Sequence, residues 1–483
     1  MNKILQRFKD LLTKDFIITV LGQVIVVVIS FLVNKILSNY VSTDEFGIYN
    51  IAKRFTDVLT YIILLAMGIA VPKYLAEYKS KKDEAGVYLY WMASLILVLG
   101  TTLIVGIVVA FARVPIMKWM FGVGGYEKYA LVSLLYALGS SLATLISSYC
   151  RGVGYFYRYN IIQIAVQILF FVVVLICSSN AFYILLFAGL AYLVADAAVL
   201  IYYFVKKRKL VVQYKSPKHY LKPLKELTIY GLPRVPGEFV LFAYNLVPLV
   251  IISNKFDLTQ SAFFSASLSV NSTITSAFGF IGIILLPAVS SAIATRKFDK
   301  VDKNITFLAI LYVIVSALGI LFIYFCGEWV IKLLYSEEYI PAVAMLAITS
   351  IAILPRSMFL LLRNPIDAVT KIPFNTINLA ISFAVTCLGM ALANSIELCA
   401  WVYVIGYGVL ALFSLGTWLF CRRRVIKKIK TEAVEAESEQ EEASADTDGV
   451  AHIEIESESV SESDEVDEKN GSDEVDSGNE TSE

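Results

Sequence analysis

Asn160-Ile-Ile-Gln-Ile-Ala165 has a counterpart 215 residues further on, Asn375-Thr-Ile-Asn-Leu-Ala380, and each opens an apolar run long enough to cross a bilayer as a helix. The same offset pairs Asp44-Glu-Phe-Gly-Ile-Tyr49 with Thr259-Gln-Ser-Ala-Phe-Phe264, and it sets the start of the first apolar run against the start of the seventh. Three matches at one offset, all at equivalent places, divide the chain into halves of six runs each. An even number of crossings per half makes the repeats parallel, related by an axis along the membrane normal. The expected fold is therefore an all-α polytopic membrane protein with about twelve transmembrane helices in two six-helix lobes. Two such lobes facing a central cavity have the geometry of alternating access.

Composition agrees with this reading. Of 483 residues 58% are apolar, and mean hydropathy is +0.69. Spans are expected at about 16–37, 48–72, 87–112, 129–150, 159–177, 182–205, 228–252, 258–292, 305–325, 339–362, 373–393 and 398–421. The first follows a basic start, but it is too long for the core of a signal peptide and reads as a retained span. Two lobes are expected at 1–205 and 228–421, joined by a basic connector at 206–227. A basic juxtamembrane segment, 422–430, leads into an acidic tail, 431–483.

The net charge of zero conceals a division. The tail from Thr431 holds 21 acidic residues and one Lys, so the remainder has 40 Lys and Arg against 20 Asp and Glu. Poor in aromatics and rich in Glu, Asp and Ser, the tail is expected to be disordered. With the N-terminus in the cytosol, the inner segments hold 30 cations and the outer loops five, which satisfies the positive-inside rule with both termini cytoplasmic. No outer connection exceeds about twenty residues, which leaves no room for an extracytoplasmic catalytic domain. Six scattered cysteines without a CxxC pair, and no His cluster, give no metal site.

Five cations remain inside spans: Lys35, Lys53, Arg54, Arg234 and Arg356. Three acids accompany them: Asp57, Asp196 and Glu238. Each costs roughly 2.5–3.5 kcal/mol at a helix centre, so such groups face a cavity or a partner rather than lipid. Lys35 is near enough to the outer end of its span to snorkel. Arg54 and Asp57, three apart, share a face and can pair with each other or line the cavity; Lys53 points elsewhere, towards the outer interface. Arg234 and Glu238 lie in Tyr230-Gly-Leu-Pro-Arg-Val-Pro-Gly-Glu-Phe239, where two prolines remove backbone donors and open the helix start towards water or a ligand. Both are expected at the inner mouth of the cavity. Arg356 follows Pro355 in the inner third of the tenth span. Asp196, in a small-residue stretch with no cation nearby, is either a helix contact or an ion-coupling site.

The eighth span carries Ser261, Ser265, Ser269, Ser272 and Ser276 at helical spacing, with Asn271 and Thr275 beside them. The second carries Asn50, Arg54, Asp57 and Tyr61. One polar stripe per half suits a hydrophilic cavity, although small hydroxyl residues also serve close helix packing. Cations in excess of acids favour an anionic cargo, and arginine's planar fork matches phosphate oxygens. There is no Walker A loop and no nucleophile and base arrangement, so neither built-in hydrolysis nor an enzyme is expected, and no nucleic acid partner.

Tyr40-Val-Ser-Thr-Asp-Glu-Phe-Gly-Ile-Tyr49, Arg151-Gly-Val-Gly154 followed by Asn160, and the stretch 230–239 together resemble the polysaccharide-transporter family. These are oligosaccharide or O-antigen flippases of the multidrug/oligosaccharidyl-lipid/polysaccharide exporter superfamily. The similarity covers residues 10 to 425. It implies translocation of a lipid-diphosphate-linked oligosaccharide from the inner to the outer leaflet of the plasma membrane. On that view Arg234 and Arg356 meet the headgroup near the inner side, and Lys53 with Arg54 receives it further out. Implied partners are membrane lipids, a polysaccharide polymerase and glycosyltransferases; no cofactor is implied. A cation-coupled drug or metabolite antiporter, with Asp57, Asp196 or Glu238 binding the ion, is the alternative within the superfamily. A membrane-embedded glycan polymerase and a major-facilitator carrier are weaker rivals, the latter because 73–86 lacks its Gly-x-x-x-Asp-Arg-x-Gly signature.

Overall fold

A computed structural model describes residues 14–177, 180–214, 216–294, 298–370 and 372–458, and among these every regular element is helical. The first half contains α1 (Lys14–Tyr40), α2 (Thr43–Leu64), α3 (Met67–Ser80), α4 (Glu84–Phe121), α5 (Glu127–Gly152), α6 (Phe156–Cys177) and α7 (Ala181–Lys206). A short α8 (Arg208–Gln213) and α9 (Leu221–Gly231) lead into α10 (Val235–Lys255). Then come α11 (Leu258–Ala294), α12 (Phe298–Leu334), α13 (Ala342–Thr349), α14 (Ile353–Val369), α15 (Phe374–Leu392) and α16 (Ile396–Glu458). Ten helical stretches are long and apolar enough to cross a membrane. With α1 and α11, the remaining long helices, they make twelve crossings.

The repeat is visible in the helix boundaries. Adding 215 carries the starts of α2, α5 and α7 onto those of α11, α13 and α16, and the end of α1 onto the end of α10. Local chemistry sets these boundaries. Ser42 accepts from the Glu45 N–H, Asp83 from Gly86 and Asn180 from Phe182, each satisfying a donor that the helix start leaves free. Gly122 ends α4 at φ 76°, a conformation that favours glycine.

Three expected spans are interrupted. The second breaks between α2 and α3 at Leu65 and Ala66, both left-handed at φ 47° and 58°. The seventh contains a 3-10 turn, Leu232–Arg234, where Pro233 and Pro236 remove donors. The tenth has a 3-10 turn at Ser350–Ala352 and reaches Val369 rather than stopping at 362. The described residues through Cys421 pack as one compact unit, and those from Arg422 form a second. Where the composition leads one to expect disorder from 431, α16 continues to Glu458. Ala, Glu and Gln, which favour helix without needing burial, crowd its first turns beyond 431. Residues 459–483 lie outside the described residues.

The turns at 40–43, 122–126, 256–258, 335–341 and 393–395 lie at one end of the bundle, the upper end below. There the halves are zipped together. Lys35 Nζ donates to the Lys332 and Tyr335 carbonyls, capping the end of α12 rather than snorkelling. The Ser336 N–H donates to Ser38 Oγ (3.0 Å), and Thr43 Oγ1 to Glu338 Oε2 (3.1 Å). Phe46 packs edge-on to Tyr335 and Tyr339. Thr259 Oγ1 donates to Asp44 Oδ1, a contact between two residues related by the 215-residue offset. On the other side of the seam, Ser253 Oγ donates to the Met120 carbonyl (3.1 Å) and Asn254 Nδ2 to that of Trp119 (2.8 Å).

Candidate functional site

The helices α2, α10 and α14 carry charge into the middle of the bundle, and α11 faces it with a row of serines. Successive residues on a helix are turned by about 100°, which sends Lys53 and Arg54 in different directions. Lys53 turns into the first lobe, where it pairs with Asp57 one turn on and lies 5.4 Å from the Tyr136 ring centroid. The expected Arg54–Asp57 pair is therefore replaced by Lys53–Asp57, and Lys53 does not reach the outer interface. Arg54 crosses to the second lobe, where its Nη2 donates to Ser265 Oγ (3.3 Å) on α11; its Nε is buried without a hydrogen-bond partner. At mid-height, 39% of the Asp57 side chain is still accessible.

Arg356 lies midway along the crossing formed by α13 and α14, not in its final third. Its Nη1 donates to Ser272 Oγ (3.2 Å), and its guanidinium carbon is 5.6 Å from the Tyr407 ring centroid. Ser265 and Ser272 are seven residues apart, about two turns along one face of α11. Arginines from opposite lobes thus converge on one serine row, within electrostatic reach of each other. Neither forms an ion pair among the described residues. The rest of the row serves packing: Ser261 Oγ donates to the Leu249 carbonyl, and Asn271 Nδ2 to Thr349 Oγ1.

Below this level Arg234 and Glu238 both lie near Asp367 but do not pair with each other. Arg234 folds back on Tyr230, donating to its carbonyl (2.7 Å) with its guanidinium 3.8 Å from the ring centroid, and is exposed. Its guanidinium is taken up by Tyr230, one turn back, rather than by Glu238, one turn on. Glu238 is instead paired with Arg363 (2.8 Å) on α14. Sequence reasoning placed Arg363 in a loop because hydropathy ends the tenth span at 362, and no local signal corrects this. Asn375 Nδ2 bridges the Arg363 carbonyl and Asp367 Oδ1 (2.8 Å each). Tyr61, stacked on Phe242 at 3.5 Å, lies within electrostatic reach of Asp57, Glu238 and Arg363, linking the two charged levels.

Asp196 is apart from both levels. It is 6% exposed within the first lobe, one turn from Tyr192, and its Oδ2 has no hydrogen-bond partner. No disulfide links any of the cysteines among the described residues. Among the described residues, no group of three or more His, Cys, Asp or Glu is placed to hold a metal.

Twelve crossings in two parallel repeats, with charge gathered between them, define a polytopic membrane protein with the two-lobed fold of alternating-access transporters. The chain belongs to the polysaccharide biosynthesis protein family, whose model matches residues 12–293. Solved structures of the same fold are similar over most of their length. An inward-facing multidrug resistance MATE family transporter of the MOP superfamily is 14% identical, with TM-score 0.65, covering 82% of this chain and 95% of that one. The lipid II flippase MurJ, in an inward closed conformation, is 11% identical with TM-score 0.64, covering 86% and 92%. An outward-facing MATE transporter is 15% identical with TM-score 0.59, covering 86% and 96%. No curated protein sequence matches the chain.

Proposed function

We propose that the protein is a flippase that carries a lipid-diphosphate-linked oligosaccharide from the cytoplasmic to the outer leaflet of the plasma membrane by alternating access. The observation that carries this reading is the convergence of Arg54 and Arg356, one from each lobe, with no acidic partner for either among the described residues. An arginine fork left short of acceptors in a partly dry seam suits the oxygens of a diphosphate, which both lobes can grip at once. Lys53 is tied to Asp57 and acts on Arg54's side of the site through charge rather than direct contact. Arg234, on the exposed rim, attracts the headgroup without lining the seam. Family membership in polysaccharide biosynthesis supports the glycan part of the cargo.

Basic residues concentrate at the end opposite the zipped turns, which supports a cytoplasmic lower end with both termini there. Polymerases and glycosyltransferases that make and consume the glycan are the expected partners. The test is transbilayer movement of a fluorescent lipid-diphosphate oligosaccharide in proteoliposomes. Wild type should move it, and Arg54→Ala and Arg356→Ala, folded and inserted, should each slow it at least tenfold. Full movement by both variants would overturn the assignment of the site.

One observation favours a second reading, the cation-coupled antiporter. The buried, unbonded oxygen of Asp196 offers an ion or proton a site, whereas Asp57 and Glu238 are already neutralised by cations. Cation-driven efflux of a soluble cargo that Asp196→Asn abolishes, with no lipid movement by wild type, would establish that reading instead.

A further inference from the structure

Arg363 and Arg356 are seven residues apart on α14, so they lie on nearly the same face, about two turns from each other. Their surroundings differ. Arg356 meets a serine and a tyrosine, whereas Arg363 is held by Glu238 of α10 at 2.8 Å, in a pair whose side chains are 31% and 17% accessible. Asp367 and Arg234 complete the neighbourhood, so the lower level balances two cations against two acids. The middle level has Lys53, Arg54 and Arg356 against Asp57 alone. Positive charge therefore rises from the mouth inward, and inside the rim held by Arg234 the first cation on the path is already occupied.

Resting on the flippase reading, we propose that Arg363 is the positioning residue that first receives the diphosphate, and that Glu238 latches it against smaller anions until the substrate displaces the carboxylate. A free phosphate or nucleotide at the mouth must compete with an intramolecular carboxylate, whose effective concentration is far higher. A diphosphate tethered to lipid gains the additional contact with Arg356 two turns above, and that gain releases the latch. Glu238 thus acts on selectivity, and Arg363 on delivery.

The experiment uses the full chain in lipid nanodiscs, with inorganic pyrophosphate as the titrated probe, alongside the proteoliposome movement assay. Glu238→Gln should tighten pyrophosphate binding about tenfold, the weight of one charge-assisted contact released from competition. Arg363→Ala should slow lipid movement about tenfold, and adding Glu238→Gln to it should restore no pyrophosphate binding. Should Glu238→Gln fail to fold, Glu238→Asp keeps the charge, lengthens the contact and should give a smaller gain of the same sign. Pyrophosphate affinity that is unchanged, weaker or undetectable in a folded Glu238 variant overturns the latch. If Arg54→Ala and Arg356→Ala meanwhile lose lipid movement, the flippase reading stands without it. A wild type that moves no lipid-linked glycan overturns the flippase, while the titration still decides the latch.

Discussion

Lys53 and Arg54 are neighbours with opposite duties. The lysine's compact charge satisfies Asp57 and faces the Tyr136 ring inside its own lobe, and the arginine's fork reaches across the seam to α11. Arg54→Lys should therefore behave differently from an equivalent change at Lys53. It keeps the charge but loses the paired donors, and is expected to lower kcat/KM for lipid movement about tenfold, the weight of one such contact. Lys53→Arg should retain most activity, as initial rates in the same assay would show. Asp57→Asn breaks a pair that is partly accessible, so the expected cost is only about 1 kcal/mol of stability. Thermal unfolding in detergent would measure it.

At the scale of elements, the interruptions matter more than the helices. Gly231, at the end of α9, packs directly against the Leu65 carbonyl at the break between α2 and α3. A Cβ at 231 would collide with the Leu65 oxygen, which is backbone and cannot swing aside. Gly231→Ala should therefore destabilise the fold by about 1–3 kcal/mol, the usual range for overpacking. Gly416, with open space around its missing Cβ, is the matched control. Its change to Ala should raise stability by about 0.5–1 kcal/mol through helix propensity alone. Opposite signs in thermal unfolding would confirm that the glycine at 231 is there for contact between the halves.

Over the whole molecule, the two repeats meet at a residue pair related by their own offset, Asp44 and Thr259. Together with Lys35 on the end of α12 and Phe46 against Tyr335 and Tyr339, this seals the upper end while leaving Asp57 accessible at mid-height. Alternating access requires these contacts to part. In a background without the six native cysteines, Asp44→Cys with Thr259→Cys should cross-link under mild oxidation and stop lipid movement. Reduction should restore it. Movement that continues in the fully cross-linked protein would show that the upper seam does not open during transport.

The sequence by itself determined the crossings, the parallel repeat and the offset of 215, because hydropathy is a local property and the bilayer fixes the length of each span. It also singled out Arg54, Asp57, Glu238 and Arg356 as residues whose cost in lipid needs an explanation. Partnership was decided only in the tertiary structure. Spacing alone suggests Arg54 with Asp57 and Arg234 with Glu238, yet the pairs formed are Lys53 with Asp57 and Arg363 with Glu238. Arg234 turns back onto Tyr230, just where Gly231 packs against the break at Leu65, 166 positions earlier. Arg363 joined the site because α14 continues past the point where hydropathy falls, against a helix that supplies its carboxylate. Span boundaries follow from each segment's own transfer energy, but which charge meets which is settled by the packing of segments far apart in the chain.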